Sequence, residues 1–206
     1  MQITYSHIKQ IKRTAKELKR TNPEFKLGQL QNLAATQLGL RDWHEAVRLY
    51  DTWLLSQVHE SDKGVGKCSL CEFSFVVDLK EDRKAHREIH ERFHEASEFL
   101  RYIPGNYTQR ELMKQEGRAK ALSDADLETR LDGLLMLVRG WFDRSLSKAI
   151  YGDYWRKHPA FEEYLSMIQD TLPDHYAELT AVLKTRYGYR PGEITAGESH
   201  WYPQSR

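Results

Sequence analysis

Residues 68–90 read CSLCEFSFVVDLKEDRKAHREIH, and this stretch decides the architecture. Two residues stand between Cys68 and Cys71, three between His86 and His90, and 14 between the pairs. Cysteines so spaced turn both sulfurs inward from one tight knuckle. Histidines four apart on a helix lie ~40° apart around its axis and ~6 Å along it, so both rings reach one ion. Two thiolates and two imidazoles then make a tetrahedral zinc site with ligand distances of ~2.0–2.3 Å. The competing reading of Cys-x-x-Cys is a redox pair, which wants a helix starting at the cysteines. Here Phe73-Ser74-Phe75-Val76-Val77 follows instead, aromatic and β-branched, and predicts a strand or hairpin. From Glu81 the positions Ala85, Ile89, Phe93, Ala96 and Leu100 predict a helix that Pro104-Gly105 ends. The expectation for residues 67–103 is a C2H2-type ββα zinc finger with a long helix, its metal held by Cys68, Cys71, His86 and His90. His94, four beyond His90, offers a second pairing that stretches the central spacing to 18 residues. Ordinary fingers have ~12, which favours His86 with His90 and leaves His94 as a solvated helical residue.

Upstream, residues 1–59 predict a three-helix module. Ile8, Ile11, Ala15 and Leu18 recur at helical spacing, and His7 to Lys26 carries seven Lys/Arg against Glu17 and Glu24. Asn22-Pro23-Glu24 breaks that helix. Leu27, Leu30, Leu33, Ala34 and Leu38 form the next stripe, stopped by Gly39. Asp42 with Glu45 three residues later reads as a capping box for a third helix bearing Trp43, Ala46, Val47, Tyr50, Trp53 and Leu54. The polar, glycine-bearing residues 60–66 predict a linker.

Downstream, residues 104–190 predict a helical domain. Ser123-Asp124-Ala125-Asp126 marks a helix start, and Leu127, Leu131, Leu134, Leu135, Val138 and Phe142 form its stripe. Pro159 and Pro173 open two further helices, and Gly188 stops the last. Residues 191–206 read as a loop or tail. The expected fold class is mainly α.

Composition narrows the function classes. The 206 residues carry 31 Lys+Arg against 30 Asp+Glu, which excludes a polycation wrapped in nucleic acid as well as an acidic tail protein. The 23 aromatic residues speak for a packed chain rather than a disordered one. No apolar run approaches a membrane span, and the N-terminus has no signal core, so a cytoplasmic protein is expected. His158, His175 and His200 stand in no H-E-x-x-H, G-x-S-x-G, phosphate-loop or G-x-G-x-x-G setting. No small-molecule substrate is evident, and with both cysteines assigned to zinc the expectation is a protein that is not an enzyme.

Two resemblances attach to these residues. Cys68-x2-Cys71, Phe75, Glu81-Asp82, His86-x3-His90 and Phe93 make residues 68–94 similar to the C2H2 zinc finger of eukaryotic cohesin acetyltransferases. Glu72 stands where that family has glycine, and nothing after residue 104 resembles an acetyltransferase, so the resemblance implies the zinc site and the ββα shape and no acetyl transfer. Residues 8–54, through Ala34-Ala35-Thr36-Gln37-Leu38-Gly39-Leu40-Arg41-Asp42-Trp43, resemble a small helical N-terminal domain of bacterial glyoxalase-superfamily proteins, which implies no activity by itself. Ala35-x3-Gly39 also has helix-turn-helix spacing, with Glu45 and Arg48 where that motif places core residues.

Counting back from His86 puts Leu79, Asp82 and Ala85 at the base-reading positions of a finger, and none of them makes bidentate purine contacts. The finger is therefore expected to act as a structural staple. Nucleic-acid contact, with double-stranded DNA as the partner, is expected from Lys9, Lys12, Arg13, Lys16, Lys19 and Arg20. The alternative is a protein–protein adaptor using the finger helix or the aromatic C-terminal region.

Overall fold

A computed structural model describes residues 2–60 and 63–190; the expected tail 191–206, with His200, lies outside them. The chain is mainly helical, with one small sheet, and forms two compact units that divide between His94 and Glu95.

In the first unit α1 (Tyr5–Thr21), α2 (Leu27–Gln37) and α3 (Trp43–Leu55) enclose a core of Ile3, Ile8, Ile11, Ala15, Leu30, Ala34, Ala35, Ala46, Tyr50 and Leu54. The turns follow the sequence signals. Gly39 takes φ +79 after α2, a left-handed conformation that glycine adopts without steric cost. Asp42 caps α3 by accepting from the Glu45 amide at 2.7 Å. The Glu45 carboxylate reaches back to the Arg41 amide rather than to that of Asp42, one residue beyond a strict capping box. Three short antiparallel strands follow, β1 (Val58–Glu60), β2 (Val65–Cys68) and β3 (Ser74–Val76), in the order β1-β2-β3. The sheet thus has one strand more than the hairpin expected from sequence. β1 pairs Val58 with Cys68 and Glu60 with Gly66, so the ends of the expected linker 60–66 are strand. Helix α4 (Lys80–Leu100) leaves β3 through Asp82, which accepts from the Val76 amide at 2.9 Å.

The division between the units falls inside α4. The second unit contains α5 (Tyr107–Ala121), α6 (Leu127–Tyr151), α7 (Phe161–Met167) and α8 (Ala177–Tyr187), with short 3-10 turns between α6 and α8. Leu131, Leu134, Leu137, Val138, Phe142, Leu146 and Ile150 of α6 are buried, with Trp155, Leu165, Leu179 and Leu183 around them. Asp126 caps α6, as the sequence predicts. Helix α5 lies within the expected helical stretch 104–190, where the sequence marks no start or stripe of its own.

The second unit also buries polar groups. Asp143 accepts from the Tyr102 hydroxyl at 2.5 Å and the Gly105 amide at 2.8 Å, and Arg110 donates to the Gly105 carbonyl at 2.8 Å and Ser147 Oγ at 3.2 Å. His158, 4% exposed, sits 2.9 Å from Ser145 Oγ and 3.0 Å from the Pro159 carbonyl. Burial pushes its pKa down to about 4, against a small upward pull from the Pro159 carbonyl. The folded unit therefore holds His158 neutral where an unfolded chain, with a pKa near 6.5, takes up a proton. Its contribution is complete above about pH 6.5 and is lost as pH falls toward 4, an effect of about 3 kcal/mol. Amide exchange of α6 and α7 should lose protection over that window in the wild type, and His158→Gln should flatten the dependence. An unchanged pH profile in the variant would contradict this assignment.

Candidate metal centre

The two cysteines and the histidines come from opposite sides of one small fold. Cys68 ends β2, and the chain turns there: the Glu72 amide donates to the Cys68 carbonyl at 3.0 Å and the Cys68 amide to the Phe73 carbonyl at 3.0 Å. Ser69 anchors the turn by donating its amide and hydroxyl to the Gln57 carbonyl. Glu72 completes the knuckle at φ +58, in the left-handed region, which gives a physical reason why a glycine would suit that position. No helix begins at the cysteines; the next one starts at Lys80.

Cys68, Cys71 and His86 each place a ligand atom within 4.8 Å of the others, and all three residues are buried. They lie close enough together to hold a metal ion. His90, one turn further along α4, is outside that trio but adjacent: its ring centroid is 5.5 Å from that of His86, edge to face. It is 1% exposed, and among the described residues neither Nδ1 nor Nε2 has a hydrogen-bond partner, nor does His86 Nε2. A buried imidazole with both nitrogens idle is costly, and a metal bond is one of the few things that would satisfy it. The sulfurs respond to the same arrangement. The Cys68 thiol is pulled well below the ordinary range by the neighbouring Cys71 thiol and then by His86 and His90, against desolvation. Cys71 is pushed up, by Cys68 and by burial, because a second bare thiolate beside the first is repelled. A cation between the sulfurs would remove that repulsion and let both ionise.

Aromatic rings line the centre. Phe75 stacks on His86 at 4.5 Å, and Trp53 of α3 meets His90 edge-on at 5.6 Å. His94 does not stand in solvent, as the sequence suggests. It is half-buried, stacked on Tyr5 at 4.8 Å, with Trp53 at 6.1 Å and His90 at 4.8 Å. Only neighbours distant in sequence place it there.

The six cations of α1 separate into two groups. Lys12 pairs with Glu91 at 2.8 Å, and Lys19 donates to the carbonyls of Pro23 and Phe25 at 2.5 and 2.6 Å, closing the turn after α1. Lys9, Arg13, Lys16 and Arg20 are exposed. Lys9 lies over the Tyr5 ring at 5.9 Å, and Arg13 has Glu17 at 3.9 Å. Of the finger positions counted as base-reading, Leu79 is exposed and Asp82 is spent on Val76.

Among the described residues no helix is long and apolar enough to cross a membrane. Compared with protein families, with curated proteins and with solved structures, the chain matches none.

Proposed function

We propose that this chain is a zinc-binding, non-enzymatic regulatory protein that associates with double-stranded DNA through α1, its metal acting as a structural staple. One observation carries the zinc reading: three buried sulfur and imidazole donors within 4.8 Å of one another, beside a fourth buried imidazole whose nitrogens have no hydrogen-bond partner among the described residues. Two thiolates with two imidazoles are the donor set that zinc takes in closed structural sites. With His90 as fourth ligand the ion has no open position for water, which is why the proposal is a staple and not a hydrolase. Cysteines on a strand and turn, followed by histidines on a helix, support the resemblance to the cohesin acetyltransferase finger. Thiolates kept for metal suit a reducing cytoplasm.

The nucleic-acid part rests on Lys9, Arg13, Lys16 and Arg20. Their steps of four, three and four residues put them on one face of α1, over ~16 Å of helix. Such a stripe neutralises phosphates without reading bases, so affinity should fall with salt at a log–log slope of about −0.9 per phosphate engaged. Fluorescence anisotropy of the zinc-loaded protein with random-sequence duplex, at two salt concentrations, tests this. Reversing Arg13, Lys16 and Arg20 to Glu should weaken binding by about two orders of magnitude and flatten the slope. Lys12 is left intact because a glutamate there would face Glu91. Absence of binding at the lower salt would refute the DNA reading. It would favour an adaptor instead, for which the cross-strand pair Val65–Val76 and Leu79 offer exposed apolar surface.

A further inference from the structure

The first unit contains a second site, lined by none of the proposed metal ligands. A cavity of about 530 Å³ opens between α1, α3 and the first turns of α4. Lys12, Arg48, Arg83 and Arg87 line it against only two carboxylates, Asp51 and Glu91. Glu91 is matched by Lys12 at 2.8 Å, and Asp51 by Arg87, whose Nη1 lies 2.8 and 2.9 Å from its two oxygens. Arg83 donates through Nη1 to the Val77 carbonyl at 2.8 Å, and Arg48 has Glu45 at 3.7 Å. Among the described residues, Nε and Nη2 of both Arg83 and Arg87 have no hydrogen-bond partner. Each guanidinium therefore keeps a planar set of donors for an anion.

Tyr50 adds an independent observation. It lines the cavity, is 0% exposed, and its hydroxyl has no hydrogen-bond partner among the described residues. A buried phenol normally finds one. The charged groups that act on this hydroxyl are Glu91, Arg87 and Asp51, all on the cavity wall.

Size and the remaining lining narrow the ligand. The volume falls in the range of small-molecule sites, roughly 300–1,000 Å³, and far exceeds what one phosphate fills. Trp43, Val47 and Leu55 supply an apolar wall. We infer that this cavity binds a phosphomonoester of mononucleotide size, the phosphoryl oxygens taken by Arg83, Arg87 and Arg48 with the Tyr50 hydroxyl, and the body lying against Trp43. The mononucleotide is either free or the 5′-phosphorylated end of a strand. The inference does not depend on the DNA reading of α1.

Calorimetric titration of the zinc-loaded full chain tests it, with adenosine monophosphate, adenosine, and single-stranded oligonucleotides bearing or lacking a 5′-phosphate. Adenosine monophosphate should bind at least about tenfold more tightly than adenosine. Arg83→Gln, Arg48→Gln and Tyr50→Phe should each weaken it about fivefold or more. Tyr50→Phe is the key variant: it keeps the core shape and removes only an idle hydroxyl, so metal content and melting temperature should hold while affinity falls. If the free nucleotide fails but the 5′-phosphorylated strand outbinds its 5′-hydroxyl counterpart, and Arg83→Gln abolishes the difference, the phosphoryl group is that of a strand end. Equal binding of adenosine and its monophosphate would overturn the inference. So would a lack of preference for either phosphorylated probe into the millimolar range, or unchanged affinities in all three variants.

Discussion

Replacing Cys68 with serine, or stripping the metal with a chelator, should abolish amide protection across β2, β3 and the α4 residues up to His94. The reason lies in how little else holds this segment. Its three strands are three, four and three residues long, and a sheet so small is not stable by itself. From Val65 to Val77 only Gly66, Cys68, Cys71 and Phe75 are buried, and two of those are ligands of the proposed centre. Apparent zinc-binding free energies of about 10–16 kcal/mol in small finger folds are folding free energies, far more than a single phenylalanine and a few strand hydrogen bonds contribute. Without the ion, the chain would bury two sulfurs that cannot both ionise and two imidazoles with idle nitrogens. The helical core of Ile8, Ile11, Ala34, Ala46 and Leu54 is separate from these groups. Protection in α1–α3 should therefore weaken but persist, reduced by loss of the Lys12–Glu91 and Arg87–Asp51 pairs and the Tyr5–His94 stack. Metal-to-protein ratios complete the test. Cys68→Ser, Cys71→Ser, His86→Gln and His90→Gln should lose zinc, while His94→Gln should keep it. Loss in His94→Gln with retention in His86→Gln would move the site to the longer spacing. Wild-type protection in metal-free protein would remove the staple altogether.

The parts of this fold that were legible in the sequence are those written in local signals. Gly39, Asp42, Asp126 and Gly188 mark helix ends through their own backbone or side-chain chemistry, and each sits where that chemistry predicts. The knuckle and the α4 histidines were legible because the spacing of metal ligands is a local code. What escaped is non-local. Strand β1 is three residues, too short for an alternating pattern to show, and is recognised by its pairing with β2. Lys12 finds Glu91 79 positions away, which nothing in a basic helical stripe reveals. Tyr50 reads as an ordinary core aromatic until its hydroxyl, unpartnered among the described residues, and its place in the cavity wall are seen. Helix α5 escaped for a different reason. Its buried positions are Arg110, Gly117 and Ala121, so it shows no leucine stripe, the signal by which helices are recognised.

That composition leads to the second large effect, Gly133→Ala. Helices α5 and α6 run antiparallel with their backbones in contact. A Cβ built on Gly133 would lie 2.4 Å from the Ala121 nitrogen and 2.8 Å from the Gly117 carbonyl oxygen. The reciprocal holds for Gly117, whose added Cβ would fall 2.5 Å from the Leu137 nitrogen and 2.7 Å from the Gly133 carbonyl oxygen. These obstacles are helical backbone atoms, which cannot swing aside as a side-chain tip does. One methyl group must push the two helices apart along their length, and the contacts of Leu131, Leu134 and Leu137 in the same core loosen with them. Alanine's better helix propensity returns only about 1 kcal/mol. A net loss of about 3 kcal/mol or more is expected, with Gly117→Ala alike, read from denaturant unfolding and from exchange in α5 and α6. Gly140 should be more tolerant, because its nearest obstacle is the flexible Lys114 side chain. Gly28 is the control: an added Cβ there meets nothing within 4 Å, so Gly28→Ala should stabilise α2 by about 0.5–1 kcal/mol. If Gly133→Ala stays within about 0.5 kcal/mol of the wild type, the helices separate at little cost. The glycines would then record helix history and not the packing on which the second unit depends.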